Sequence, residues 1–251
     1  MKSNKWILVV IICCLSVVIY ITSQVGSKKF EIKEQFPVVE VQKIEITNGS
    51  WNIEVKESKD NKVHVVVFGK QKDKTKVPVV VANRDKTLTI EQHKQIGGAL
   101  SAFTFAKEGT ISILIPKDTV DQVDIINKDG DLLIQSLATE KLSIDNKMGY
   151  IKMDQVKADL NVTSINGEIV LKRANDNRHI TIETVTGDVQ VDFLTTPSSL
   201  NVEIQNNKGD TNVSLANLLT TVKTNKSISG MIGAGEKNLS VKSKSGTIVI
   251  K

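Results

Sequence analysis

The sequence predicts an all-β fold of stacked coils, a parallel β-solenoid or β-helix-like array with repeats of about 20 residues. Three observations carry that expectation. Glycines recur at Gly130, Gly149, Gly167, Gly187, Gly209, Gly230 and Gly246, spaced 16 to 22 residues apart. Apolar residues alternate with polar ones on both sides of these glycines, the period-2 pattern of a strand with one buried face. A short hydrogen-bonding residue stands three places before each glycine: Asn127, Asn146, Ser164, Thr184, Asn206, Ser227 and Ser243.

Each repeat can be read from its glycine outward. Two and four residues later come pairs such as Leu132/Ile134, Ile151/Met153, Ile169/Leu171, Val189/Val191 and Ile248/Ile250. Seven and five residues earlier come Val123/Ile125, Leu142/Ile144, Leu160/Val162, Ile180/Ile182, Val202/Ile204 and Leu239/Val241. The separation between the inner members of these pairs is odd, so an unbroken strand would send them to opposite faces. A corner must re-phase them, and glycine permits one because it adopts positive φ without a steric penalty. The residue three before it is a turn-former. Around Gly230 the upstream apolar residue, Val222, stands one place too early, which suggests a one-residue bulge. Seven stacked coils at about 4.8 Å each would make a rod on the order of 30 Å long.

The chain divides into four parts: an anchor over 1–26, a polar stalk over 27–37, a strand-rich N-terminal cap over 38–118, and the glycine-cornered repeats over 119–251. Trp6 to Ile21 is apolar except for Ser16. Extended to Val25, this stretch is long enough to span a bilayer as one transmembrane helix. Lys2 and Lys5 before it favour a cytoplasmic N-terminus and an extracytoplasmic C-terminal domain. The rival reading is a cleaved signal peptide, with Val25-Gly26-Ser27 as a weak cleavage site.

Within the cap region, Gly49 with Trp51 and Ile53 echoes the repeat, although Ile46 stands where a turn-former belongs. Its segment Ile96 to Phe105 is apolar, and Phe103 and Phe105 make it a candidate binding tip. At the other end the chain stops inside a strand at Ile250-Lys251. That predicts an open β edge and a route to homo-oligomers, guarded by Lys242, Lys244 and Lys251.

The passage from Ile113 through Ile115-Pro116 to Asn127, Gly130 and Ile134 resembles the bacterial "putative adhesin" family of membrane-anchored β-solenoid proteins, which includes LiaG-like proteins of Gram-positive envelope-stress operons. The likeness runs over nearly the whole chain: short anchor, strand-rich lead-in, a strand closed by Ile-Pro, then glycine-cornered repeats. It implies a right-handed stacked fold at the cell surface. It implies no activity, and it offers no functional residues to carry over.

The residues themselves point away from catalysis. Beyond the anchor, 31 basic residues oppose 28 acidic ones, a net of +3 that lacks the concentrated basic footprint nucleic acid needs. The one basic cluster is Lys70, Lys72, Lys74 and Lys76, a solvated hairpin tip or a contact for anionic polymer or lipid headgroups. Cys13 and Cys14, the only cysteines, lie in the apolar segment, so the folded part has no disulfide or thiolate chemistry. His64, His93 and His179 have no second histidine at ligand spacing, which excludes a metal site on this signal. Gly97-Gly98 precedes no helix or Lys-Ser/Thr pair, so no nucleotide loop is expected.

Asp131, Glu168, Asp188 and Asp210 each follow a glycine and could stack as an acidic ladder, interrupted by Tyr150, Met231 and Thr247. Such a ladder is either turn chemistry or the carboxylate site of a polysaccharide-acting enzyme. The polar loop Asn175-Asp176-Asn177-Arg178-His179 is a second candidate, with Arg178 and His179 as its binding residues. The expected function is a non-catalytic surface module, needing no cofactor, that contacts an envelope polymer or another membrane protein.

Overall fold

Alternation of branched apolar residues with polar ones makes nearly all of the described chain extended. The computed structural model describes residues 28–71, 77–93 and 109–251. The strands run β1 (Lys28–Pro37), β2 (Lys43–Asn48), β3 (Asn52–Glu57), β4 (Lys62–Gln71), β5 (Val79–Arg84), β6 (Thr87–Gln92), β7 (Gly109–Ile115), β8 (Gln122–Asn127), β9 (Leu132–Gln135), β10 (Ala138–Met148) and β11 (Ile151–Asp154). They continue with β12 (Lys157–Asn166), β13 (Ile169–Ala174), β14 (Ile180–Thr186), β15 (Val189–Phe193), β16 (Leu200–Asn206), β17 (Thr211–Val213), β18 (Leu219–Lys223), β19 (Ser227–Ile232), β20 (Lys237–Ser245) and β21 (Ile248–Ile250).

Two mixed sheets face each other. One has the order β1-β4-β7-β3-β9-β11-β13-β15-β21-β17; the other has β18-β19-β16-β20-β14-β12-β10-β8-β2-β6-β5. Most coils contribute one strand to each sheet, and neighbouring coils pair in parallel. Register stacks equivalent residues: Val123, Leu142, Leu160 and Ile180 form one inward row, and Leu132, Ile151, Ile169 and Val189 form the facing row. All eight are buried. Each side chain of this size contributes about 1.5–3 kcal/mol when fully buried. At about 4.8 Å between strands, the 11-stranded sheet is roughly 50 Å long, longer than seven coils would be.

The corner glycines answer a double constraint. Gly149 has φ +124°, and a Cβ built there would lie 2.0 Å from the carbonyl oxygen of Gly130; Gly167 repeats this against Gly149. The row continues in space as Trp51, Gly130, Gly149, Gly167, Gly187, Gly246 and Gly209. Trp51 therefore stands at the glycine position of the first coil, with Asn48 three before it and Ile44/Ile46 and Ile53/Val55 at the inward offsets. Gly49 is not the equivalent residue. The Trp51 indole lies over Gly69 and Gly109, a directly opposed pair on β4 and β7 where any Cβ would strike the ring. Phe30 meets the indole edge-on at 6.4 Å between centroids.

Several expectations are corrected. Gly230 is no corner: it sits within β19, opposite Val202 on one side and Thr220 on the other. The bulge expected near Val222 is present as a register shift between Thr220 and Val222, but in an antiparallel hairpin strand. The stretch read as a polar stalk is β1, paired antiparallel with β4 from Lys28↔Gln71 to Pro37↔Lys62. Its inward residues Phe30, Ile32 and Phe36 pack on the core.

The spatial order of coils also departs from chain order at both ends. The coil β2/β3 lies inside β6/β7, and the C-terminal coil β20/β21 lies between β14/β15 and β16/β17. The chain terminus is thus no open edge, because β21 pairs with β15 and β17 on its two sides. Lys251 reaches Asp192 at 3.7 Å instead of guarding an edge. The far end of the core is covered by Leu215 and Leu218 and by the β18–β19 hairpin.

Candidate functional site

The residues three before the corner do more than start turns. Because equivalent positions stack in register, they form a buried polar row. Asn48 Nδ2 donates to Asn127 Oδ1 at 2.6 Å, and Asn127 Nδ2 to Asn146 Oδ1 at 2.6 Å. Asn146 Nδ2 then donates to Ser164 Oγ at 3.0 Å. Asn48, Asn127 and Asn146 each also donate to the carbonyl of the corner residue three places on, as Asn127 does to Gly130 at 2.8 Å. The row passes to Thr184, Ser243 and Asn206, where Thr184 Oγ1, Ser243 Oγ and Asn206 Oδ1 are buried without a hydrogen-bond partner. From Ser164 onward hydroxyls replace amides at Ser164, Thr184 and Ser243, and Thr184 Oγ1 and Ser243 Oγ make no bond to the neighbouring coil.

Outside this thinner stretch of the row lies an open groove of about 420 Å³. Strands β12, β14 and β20 run on past Ser164, Thr184 and Ser243, so their outward side chains continue over the corner. Ile165 and Val185 form an apolar strip in the groove, Ile165 being 52% exposed. Asp145, Thr163, Glu183 and Lys242 flank it on one side, with Lys244 beyond Val185 and Gln205 and Asn207 at the end. Glu183 and Lys242 are register neighbours on β14 and β20. Neither forms an ion pair with a described residue. The groove can hold an extended ligand by apolar contact while meeting both signs of charge. A second open groove, of about 330 Å³, lies at the return corner between Lys117, Lys157, Arg173 and Leu194.

The acidic ladder is structural where its bonds are seen. In space it reads Asn52, Asp131, Tyr150, Glu168, Asp188, Thr247 and Asp210, and Met231 has no place in it. Asp131 Oδ1 accepts the backbone N–H of Tyr150 at 3.1 Å, and Asp188 Oδ1 that of Thr247 at 2.7 Å. Each thereby satisfies an amide of the next coil. Burial raises the Tyr150 hydroxyl above its ordinary value, with Glu168 and Asp131 adding to the effect.

Arg178 and His179 are brought together with Asp159. Arg178 Nη1 lies 3.9 Å from its carboxylate, which also accepts the His179 N–H at 3.1 Å. His179 Nδ1 accepts the backbone N–H of Asn238 at 3.3 Å, tying β14 to the C-terminal coil. His64 Nε2 lies 2.7 Å from Asp60, and this hydrogen bond holds the Asp60 carboxyl below its ordinary value. Among the described residues no group of three or more His, Cys, Asp or Glu could hold a metal ion. Phe103, Phe105, Lys72, Lys74, Lys76 and the apolar segment 1–26 lie outside the described residues. Sequence reasoning missed the groove because its rows join residues such as Glu183 and Lys242, which are distant in sequence and adjacent only through the displaced coil.

Comparison with known proteins agrees with this architecture. No curated protein matches the chain. A solved structure from Clostridium sporogenes, titled a "putative cell adhesion protein", aligns with TM-score 0.55 at 18% identity, covering 89% of this chain and 99% of that one. A "putative adhesin" from Bacteroides fragilis aligns with TM-score 0.40 at 17% identity, covering 89% and 98%. The family model named Toastrack DUF4097 matches residues 41–161 and again 127–251. Because those two matches together take in both the lead-in coils and the glycine-cornered ones, the chain belongs to the Toastrack DUF4097 family.

Proposed function

We propose that this protein is a non-catalytic binding module held at the cell membrane by its N-terminal apolar segment, with the β-solenoid outside the cytoplasm. Its partner class is an extended envelope polymer. The observation that carries this reading is the groove over β10, β12, β14, β20 and β16. It pairs an apolar strip, Ile165 and Val185, with the register neighbours Glu183 and Lys242. A flat face of stacked strands suits a chain-like ligand lying across the coils. Likeness in fold to the Clostridium sporogenes structure titled a "putative cell adhesion protein" supports surface attachment as the role. A right-handed coil is the sense favoured by parallel strands joined through a crossover. Two carboxylates of the ladder, Asp131 and Asp188, each give one oxygen to a backbone amide of the next coil, which supports a structural use for them.

Co-sedimentation of the full-length protein, in detergent, with purified insoluble peptidoglycan, with and without attached teichoic acid, tests the reading. Wild type should be retained without release of soluble sugar products. The triple variant Ile165→Ser, Glu183→Ala, Lys242→Ala should be retained about tenfold more weakly at unchanged thermal midpoint, a loss of about 1.4 kcal/mol. Equal retention of both proteins would remove the groove from the binding surface.

A further inference from the structure

We propose that the corner of the β1–β4 edge where β1 begins is a docking surface for anionic lipid headgroups. The inference rests on the membrane-anchor reading above and adds to it how the solenoid meets the bilayer. Even with 22–25 counted outside the spanning stretch, no more than six residues, 22–27, separate the apolar run from the first residue of β1. At about 3.5 Å per residue this linker spans at most roughly 20 Å. There is no stalk to hold the fold away, because β1 is hydrogen-bonded along its whole length to β4. An anchored chain must therefore keep this corner at the headgroup layer, at high effective concentration.

The chemistry of the corner suits that position. Lys28 and Lys29 are exposed, and neither forms an ion pair with a described residue. Register sets Lys29 directly opposite Lys70, so basic residues gather at this tip of the edge. On the same outward face, one step further along, Phe68 lies opposite Glu31 and is 55% exposed. Glu31 is already paired with Lys33, on the side away from Lys29. The corner thus offers cations at its tip and an exposed ring behind them, the combination that seats a protein among headgroups. The surface is assigned to the described residues alone.

Lysine acylation, read residue by residue by mass spectrometry, tests it on the full-length protein in nanodiscs. One set of discs is pure phosphatidylcholine and the other carries about 30% phosphatidylglycerol. Lys28 and Lys29 should react at least about threefold more slowly in the anionic discs only, and about 1 M salt should abolish the difference by shortening the Debye length to about 3 Å. Lys226, at the turn of the far hairpin, should react equally in both. Lys28 and Lys29 reacting alike in the two discs overturns the docking, whether they are fast in both or slow in both. Protein that fails to co-elute with discs overturns the anchor reading and the docking with it, whereas co-elution with unprotected lysines overturns the docking alone.

Discussion

Each coil turns twice, and the two corners are built on different rules. At the first corner, φ lies between +120° at Gly209 and +144° at Gly246, and the space a Cβ would need is taken by the carbonyl of the coil before. At the return corner the equivalent residues are Ser136, Gln155 and Arg173, with φ of 54°, 55° and 51°. Those values fall in the left-handed helical well, which non-glycine residues reach at moderate cost. There the side chains point outward, and Gln155 and Arg173 are exposed. One corner excludes every side chain and so repeats the same residue; the other accepts almost any polar residue and so repeats none. Two corners that both turn the coil thus leave very different traces in a sequence.

The largest break in this comparison should come from Gly167→Val. The substitution imposes a branched side chain on φ +139° and drives a Cβ to 2.0 Å from the Gly149 carbonyl. Strain of this kind costs about 1–3 kcal/mol before the clash is counted, so a loss of at least about 3 kcal/mol is expected. Chemical denaturation measures it. A midpoint equal to wild type would mean that the stacked corner is wrongly assigned.

How much could be read from the chain follows from the same difference. Coil offsets, inward pairs and the residue three before each corner were all legible, because each is a local demand repeated down a stack. The spatial order of coils was not. Nothing local to Lys237–Ile250 states that it pairs with β14 and β15 on one side and β16 and β17 on the other. Gly230 misled because its spacing fits the repeat, whereas its partners Val202 and Thr220 place it in a hairpin. In β1, the alternation of Phe30, Ile32 and Phe36 was present but masked by the charges between them. The groove was out of reach for the reason already visible in Glu183 and Lys242: a face assembled from several coils has no signature within one.

The return corner allows the opposite experiment. Gln155→Gly removes the side chain from a left-handed residue whose backbone N–H already bonds Lys172 O at 3.2 Å. Relief of the left-handed strain favours the variant by about 1–2 kcal/mol, and the added freedom of the unfolded chain opposes it by about 0.4–1 kcal/mol. A net gain between about 0 and 1.6 kcal/mol is expected, read from the denaturation midpoint. A loss would show that the outward side chains hold this corner together, and the contrast between the corners would then be one of contacts rather than of backbone geometry.

The smallest effect sharpens what the outward side chains do contribute. Arg173 reaches across to the neighbouring coil, its Nε 2.6 Å from Asp154 Oδ1 and its Nη2 2.5 Å from Oδ2. These hydrogen bonds hold the Asp154 carboxyl below its ordinary value of 3.8, against the opposing effect of burial. A carboxyl lowered in the folded state adds stability that is present above its unfolded value and lost as the pH falls through its folded value. Arg173→Ala should therefore be slightly less stable than wild type at neutral pH, and the gap should close as the pH drops below 3.8. Because the pair is exposed, the gap should also shrink in high salt. Urea midpoints of the two proteins at neutral pH and near pH 3 decide the point. A gap independent of pH would assign the effect of Arg173 to its aliphatic stem lying over the corner, and the ion pair would then be a consequence of the stacking and no part of what holds it.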